Sequence, residues 1–76
     1  MSSRTRLIFP ARFRGERAAA AFLRDNGLYA IGAQAIPSDG EFKIVIDTAR
    51  PDAVQRYLAQ GGPLPGVEWQ RVELPS

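Results

Sequence analysis

The sequence predicts an α+β domain in which four strands form one antiparallel sheet and two helices cover one of its faces. Two segments have the composition and end signals of helices, and four have the alternation or apolar content of strands. Their order along the chain is βαββαβ, which is the order of a ferredoxin-like plait. A chain of 76 residues has room for one hydrophobic core, so we expect residues 1–76 to form a single domain, with residues 1–3 disordered.

The first strand and the first helix are predicted from alternation and from helix end signals. Polar and apolar residues alternate over residues 4–9, and Pro10 is expected to end that strand. A helix is predicted over residues 15–27, because it contains four consecutive alanines and alanine is the best helix former. Asn26 and Gly27 supply the left-handed residue that often closes a helix C-terminus.

The middle of the chain is predicted to contain the second and third strands. Residues 28–36 (LYAIGAQAI) form a nine-residue run without a charge, which we interpret as strand two. Asp39-Gly40 is a strong signal for a hairpin turn, so strand three is expected at residues 41–47. In that strand Lys43 and Val45 are predicted to point away from the core.

The last helix and strand complete the predicted order. Residues 51–60 begin with a proline, which suits the first turn of a helix, and a pair of glycines follows them. The last strand is predicted at residues 67–74, where the apolar positions change face halfway along. A β-bulge near Gln70 or Arg71 would reconcile the two halves of this strand.

Three stretches of the chain resemble the ACT domain, a small-molecule-sensing regulatory module built on the ferredoxin-like plait. They are LRDNGLYAIGAQAI, DGEFKIVID and PGVEWQRVEL, and together they cover about half of the chain. The resemblance implies sheets paired side by side, with amino acids bound at the shared interface near the loop after strand one. The corresponding stretch here is RFRGERAAA, in which only Gly15 matches the usual signature and its acidic residue and proline have no counterpart.

The residue inventory disfavours catalysis. The chain has no cysteine and no histidine, and its serines lie only at positions 2, 3, 38 and 76. Thiolate metal sites, disulfides and nucleophilic triads are therefore excluded within one chain, and the acidic residues lack the spacing of metal ligands. We expect no catalytic residue, no metal and no cofactor, and we expect that the protein is not an enzyme.

Basic residues crowd the start of the first helix. The predicted ligand- or partner-binding residues are Arg12, Phe13, Arg14 and Arg17. Exposed cations at a helix N-terminus are unfavourable by ~0.3–1 kcal/mol each, so their concentration here predicts an anionic ligand or an acidic partner. The alternative is that the arginines are simply solvated. Phe13 either folds back on the helix or stands exposed as an interface anchor.

Strand two is predicted to lie at an edge of the sheet, where natural proteins usually place lysine, proline or a bulge. Because this strand has no charge and several small residues, we expect it to pair with a second copy or with a partner protein. A lysine at position 32 or 33 is expected to prevent that pairing. The alternative is a bulge, marked by the glycine, that twists the edge away. The predicted interface residues are Tyr29, Ile31, Gly32, Ala33 and Gln34.

These observations predict a non-catalytic protein-interaction or regulatory module. It would associate through its edge strand, as a homodimer or with another protein, and bind an acidic partner or anionic ligand through the arginines. The alternative is largely sequence-independent nucleic-acid binding by the same arginines, which would weaken steeply with salt. No apolar run approaches the ~20 residues of a membrane helix, and the N-terminus lacks a secretory signal, so we expect a cytoplasmic protein without membrane contact.

Overall fold

The structure is a computed structural model that describes residues 3–75, and it has the α+β architecture that the sequence predicts. A turn of 3₁₀ helix, Leu28–Ile31, precedes the second strand. Disorder is expected at residues 1–3, and of these, residues 1 and 2 lie outside the described residues. The main elements are β1 (Thr5–Phe13), α1 (Glu16–Asp25), β2 (Ala33–Ser38), β3 (Glu41–Thr48), α2 (Pro51–Gln60) and β4 (Gln70–Glu73).

The four strands form one antiparallel sheet in the order β2-β3-β1-β4. The central strands β1 and β3 pair directly, with Leu7 opposite Ile46, and this leaves β2 and β4 at the two edges. Both edge strands are antiparallel to their neighbours. The fold is consistent with the ferredoxin-like plait, and among residues 3–75 no helix is long and apolar enough to cross a membrane.

Both helices pack on the same face of the sheet, because side chains of both belong to one core cluster. Full burial of a leucine-sized side chain contributes roughly 1.5–3 kcal/mol, so this cluster is the main source of stability in so small a chain. The cluster comprises Leu7, Ala19, Leu23, Leu28, Ala33, Ile44, Ile46, Leu58 and Trp69. We call the opposite, helix-free side of the sheet the open face.

Strand β1 does not end at Pro10, as the sequence predicted, but continues to Phe13. Ile8 pairs with Val45 and Arg12 pairs with Lys43, so three residues of β1 lie opposite a single residue of β3. Pro10 lies within this bulge, where its missing N–H does not interrupt a regular ladder. The bulge therefore places residues 12 and 13 in the strand rather than in the loop before α1.

Strand β2 begins five residues later than predicted. Residues 28–31 form the 3₁₀ turn, between Gly27 with φ of 65° and Gly32 with φ of 83°. Both glycines adopt the left-handed conformation that other residues rarely take, and between them Leu28 is buried in the core. Tyr29, Ile31 and Gly32 consequently do not belong to the edge strand, and that part of the prediction is wrong.

Strand β4 is shorter than predicted and has no bulge. Its pairing with β1 is regular from Thr5 opposite Glu73 to Ile8 opposite Gln70. Trp69 lies just before the strand and enters the core, whereas Val72 lies on the open face. The change of face in the sequence therefore reflects a late strand start, and the predicted bulge is wrong.

Candidate functional site

A groove of about 310 Å³ lies between α1 and the edge strand β2. We call it the α1–β2 groove. Strands β1 and β2 run in the same direction because both are antiparallel to β3, and α1 runs back between them. The N-terminal end of α1 therefore lies beside the C-terminal half of β2. The groove is lined by Glu16, Arg17, Ala20, Leu23, Tyr29, Gln34 and Ala35.

The floor of the α1–β2 groove is apolar and its two ends differ. Ala20 and Ala35 are half-buried and small, so they leave space above the buried Leu23. Arg17 is exposed at one end, and Tyr29, which is 55% exposed, lies at the other. The groove thus has an acidic and a basic side chain, Glu16 and Arg17, at one end, an apolar floor, and an aromatic side chain at the other end.

The backbone of β2 borders this groove with unpaired hydrogen-bonding groups. Asp39 and Gly40 both have positive φ, which gives the two-residue turn that closes the β2–β3 hairpin at its last pair. Counting back from the turn, antiparallel pairing alternates, so Ala33, Ala35 and Pro37 direct their backbone groups away from β3. Ala33 is buried, so its outward groups are not accessible. Pro37 has no N–H, and the accessible outward groups are the N–H and C=O of Ala35 and the proline carbonyl.

The other edge strand, β4, is exposed along its length and is joined to α2 by side-chain hydrogen bonds. Arg71 of β4 donates hydrogen bonds to Gln55 and, at 2.6 Å, to the Asp52 carboxylate, both in α2. This contact holds the pKa of Asp52 below its ordinary value. The Gln55 amide in turn donates to the Trp69 carbonyl. Within residues 3–75 no such side-chain hydrogen bond joins α1 to β2.

The three predicted arginines have different surroundings. Arg12 donates a hydrogen bond to the Ser38 hydroxyl at 3.3 Å and lies 3.8 Å from the Asp39 carboxylate, at the hairpin end of the open face. Arg14 is exposed between β1 and α1. Arg17 lines the α1–β2 groove. The expectation that all three stand at the start of the helix is therefore wrong for Arg12, because it belongs to β1.

Phe13 packs against α1, which was the first of its two predicted positions. Its ring centroid lies 4.9 Å from that of Phe22 in α1 and 6.4 Å from that of Phe9. The side chain is half-buried at the margin of the core. The packing of Phe13 against α1 accounts for a phenylalanine between two arginines, and no role as an exposed anchor is needed.

The open face carries an ion pair and a buried valine. Arg6 and Asp47 are paired across the central strands, and Val45 is fully buried although it lies on this face. Its cross-strand neighbours are Ile8 and Gln34. Among the described strand residues of this face there is no aromatic ring.

A second apolar groove, of about 300 Å³, lies beside the N-terminal half of α2. Its lining residues are Ile31, Thr48, Arg50, Ala53, Val54 and Tyr57. The Arg50 N–H donates to the Thr48 hydroxyl, so these two residues form a local turn. In the described part of the chain, no group of three or more acidic, histidine or cysteine residues is placed to hold a metal ion.

Ala33, Gln34 and Ala35 lie in the edge strand and Arg17 lies in α1, as the sequence predicted, but sequence reasoning did not single out Ala20. The only signal for Ala20 in the sequence is its small side chain. That signal becomes informative only when α1 is known to lie beside β2, where Ala20 faces Ala35 across the groove. Comparison of the chain with protein-family models, with curated proteins and with solved structures gives no match.

Proposed function

We propose that the protein is a non-catalytic association module that accepts an additional strand at the edge of β2. The observation that carries this proposal is the outward N–H and C=O of Ala35, followed by the Pro37 carbonyl, beside a groove of about 310 Å³. Peptide-binding domains that extend their sheets use this combination, in which backbone hydrogen bonds provide affinity and a neighbouring groove reads side chains.

The contrast between the two sheet edges supports the choice of β2. Strand β4 is exposed but contains the charged residues Arg71 and Glu73, and charged side chains protect an edge strand from pairing. The β2 edge has only Pro37 near one end as a protective residue and no charged side chain within the strand. An incoming strand would therefore meet no charged side chain of β2 as it pairs with Ala35.

The partner in this proposal is a second copy of the chain or another protein, and the arginines before residue 18 favour an acidic one. A regulatory role, as the resemblance to ACT domains implies, is part of the same proposal, and the cytoplasmic location stays a prediction. The absence of histidine and cysteine from the sequence supports a non-catalytic role, because general acid–base and nucleophilic catalysis most often use those side chains.

Nucleic-acid binding by the arginines remains the alternative, with less support. Proteins that bind single strands combine basic grooves with exposed aromatic platforms. Here Phe9 and Phe13 pack towards α1, while Arg6 and Arg12 are already close to acidic side chains. An amide NMR titration with a mixed single-stranded oligonucleotide at two salt concentrations separates the classes, since salt-sensitive shifts at residues 12–17 would favour the nucleic-acid function.

The proposed function is tested by changing the outward backbone groups of β2 while keeping its hydrogen bonds to β3. Ala35→Pro removes an N–H that points away from β3, and Pro37→Ala restores one. Sedimentation equilibrium measures self-association, and selection from a library of extended peptides measures partner binding. We expect Ala35→Pro to weaken edge pairing about tenfold, as loss of roughly one hydrogen bond and of close approach implies, and Pro37→Ala to preserve or strengthen it.

A second variant keeps the test informative if Ala35→Pro does not fold. Ala20→Gln fills the groove from α1 with a good helix former and leaves the backbone of β2 unchanged. Amide NMR spectra of each variant report its fold. If folded wild-type protein neither self-associates nor selects peptides that depend on Ala35 or Ala20, the proposed function is wrong.

A further inference from the structure

We propose that the second apolar groove binds a small carboxylic acid that has an apolar body and no ammonium group. The carboxylate lies at Arg50, before the first turn of α2, and the apolar body extends along the helix towards Tyr57. This inference is independent of strand addition at β2. We call this surface the α2 groove, and its lining residues are Ile31, Thr48, Arg50, Ala53, Val54 and Tyr57.

The α2 groove follows one side of α2. Arg50, Ala53, Val54 and Tyr57 are spaced at i, i+3, i+4 and i+7, so they lie along one stripe of the helix. The remaining lining residues come from the 3₁₀ turn and from the end of β3. Ala53 is small and exposed, so it leaves room for a ligand in the middle of the stripe.

The charge of the α2 groove favours an anion. Arg50 is the only charged residue of the lining, and within residues 3–75 it forms no ion pair. Asp47, the nearest acidic residue before it in the sequence, is bonded to Arg6 at 2.8 Å. Asp52, the nearest after it, is bonded to Arg71 at 2.6 Å. The lining therefore has a cation for a carboxylate and no acidic side chain for an ammonium group, so it fits a plain carboxylic acid better than an amino acid.

Hydrogen-bond donors accompany Arg50 at this end of the groove. The Thr48 hydroxyl accepts the Arg50 N–H at 2.9 Å, which leaves its own proton available to donate. No side chain caps the N-terminus of α2, so the backbone N–H groups of its first turn also lack a side-chain acceptor. An exposed cation at this end of a helix is unfavourable by itself, and a carboxylate beside it reverses the sign of that interaction.

The apolar half of the α2 groove is ordered by its own packing. Ile31 and Val54 are half-buried against the core. The Tyr57 ring is 48% exposed but lies close to Gly62, so it loses little freedom when it covers a ligand. It follows Arg50 by two helical turns, or about 10 Å along the axis. A volume of about 300 Å³ is at the lower limit for a ligand pocket, which indicates a small ligand.

Three small molecules with the same aromatic body test this inference on the full chain. Hydrocinnamate is the probe, hydrocinnamamide lacks its charge, and L-phenylalanine adds an ammonium group. Amide NMR titrations give the affinities and locate the site. We expect hydrocinnamate to bind with a Kd of about 1 mM, as suits a small ligand, and to shift amides of residues 48–57. We expect it to bind about fivefold more tightly than either of the other two, which is the effect of one partly exposed ion pair.

Matched variants of α2 identify the residues that bind the ligand. Arg50→Gln is expected to remove the preference for hydrocinnamate over its amide. Arg56→Gln removes a cation from the same helix outside the groove lining and is expected to preserve that preference. Ala53→Leu fills the groove with a good helix former, so it should weaken the binding of hydrocinnamate by about tenfold or more. The amide spectrum of each variant reports its fold, and the arginine variants carry the test if Ala53→Leu does not fold.

Each outcome supports or overturns the inference. Equal affinity for acid and amide, a preference that survives Arg50→Gln, or shifts confined to residues 12–17 would overturn it. Binding of L-phenylalanine as tight as that of hydrocinnamate would overturn it as well, and so would the absence of shifts in folded wild-type protein well above the expected Kd. Self-association and peptide selection test the pairing at β2 separately, so failure of this inference is distinguishable from failure of the proposed function.

Discussion

The Arg6 side chain in β1 donates two hydrogen bonds to the Asp47 carboxylate in β3, from Nε at 2.8 Å and from Nη2 at 2.9 Å. The two residues are direct cross-strand partners on the open face, and their side chains are only 26% and 19% exposed. The hydrogen bonds lower the pKa of Asp47 below its ordinary value of 3.8 and raise the pKa of Arg6. The pair therefore helps to fix the register of the two central strands.

This pair makes the stability of the protein depend on pH. Because the pKa of Asp47 is lower in the folded state than in the unfolded state, its contribution is complete above the unfolded pKa of about 3.8 and is lost as pH falls through the folded pKa. We expect Asp47→Asn to lower the free energy of unfolding by about 1 kcal/mol at neutral pH. The difference from wild type should disappear in strong acid, as measured by urea denaturation across pH.

Asp25→Asn is the control for that measurement. Asp25 forms an ion pair with the adjacent Arg24, and both side chains are largely exposed, so its replacement should change the free energy of unfolding by less than about 0.5 kcal/mol. An Asp47→Asn protein that keeps the full acid dependence of the wild type would contradict the assignment.

The end of α2 provides a test of close packing. An added Cβ at Gly62 would lie 2.6 Å from Cε2 of the Tyr57 ring and 2.9 Å from the Tyr57 carbonyl oxygen, which also accepts the N–H of Gly62. The ring can rotate, but the backbone oxygen cannot move without disturbing the helix end. We expect Gly62→Ala to lower the free energy of unfolding by about 1–3 kcal/mol in chemical denaturation.

Its neighbour Gly61 is the matched control, because a Cβ there would meet no atom within 4 Å and its φ is −129°. Gly61→Ala should be neutral or stabilise by up to about 1 kcal/mol, through loss of freedom in the unfolded chain. Equal destabilisation by both substitutions would mean that the contact with Tyr57 is not the cause.

Trp69 is expected to be a main contributor to the core. It is 3% exposed and packs edge-on against Phe9, with ring centroids 5.3 Å apart. Trp69→Ala should lower the free energy of unfolding by about 3–5 kcal/mol, a large share of the stability of a small domain. Unfolding should be followed by circular dichroism, because Trp69 is the only tryptophan and its replacement removes the tryptophan fluorescence.

Trp69→Phe separates packing from hydrogen bonding at this position. The indole N–H has no hydrogen-bond partner among the described residues, so phenylalanine removes volume without leaving a partner unsatisfied. We therefore expect a smaller loss than for alanine. A loss as large as that of Trp69→Ala would show that the indole N–H has a partner after all.

The lysine substitutions suggested by sequence at Gly32 and Ala33 should act on folding rather than on association. Gly32 has φ of 83°, where a side chain costs roughly 1–2 kcal/mol, and Ala33 is almost completely buried. We expect both lysine variants to lower the midpoint of thermal unfolding. Ala30→Lys, at an exposed position of the same 3₁₀ turn, should leave it nearly unchanged. Stable, folded Gly32→Lys protein would contradict the described turn.

Prediction from sequence succeeded where the signals are local. The bounds of α2 were predicted as observed, because a proline at its start and glycines after its end act within a few residues. The β2–β3 hairpin followed from Asp39 and Gly40, whose positive φ values suit a two-residue turn. Errors occurred at Pro10 and at Gly32, where a local rule was outweighed by the register of a neighbouring strand and by the burial of Leu28.

By itself, the sequence determined the order of helices and strands, the absence of histidine and cysteine chemistry, and the concentration of arginines before residue 18, because these depend on composition and short-range propensity. Only the tertiary structure decided that Arg12 belongs to a strand, that Arg17 lines a groove with Ala35, and that Arg71 of β4 bonds to α2. Those relationships join residues far apart in the chain, and the packing of α1 and α2 on the sheet brings them together. Periodicity within a segment carries no information about which neighbour its faces will meet.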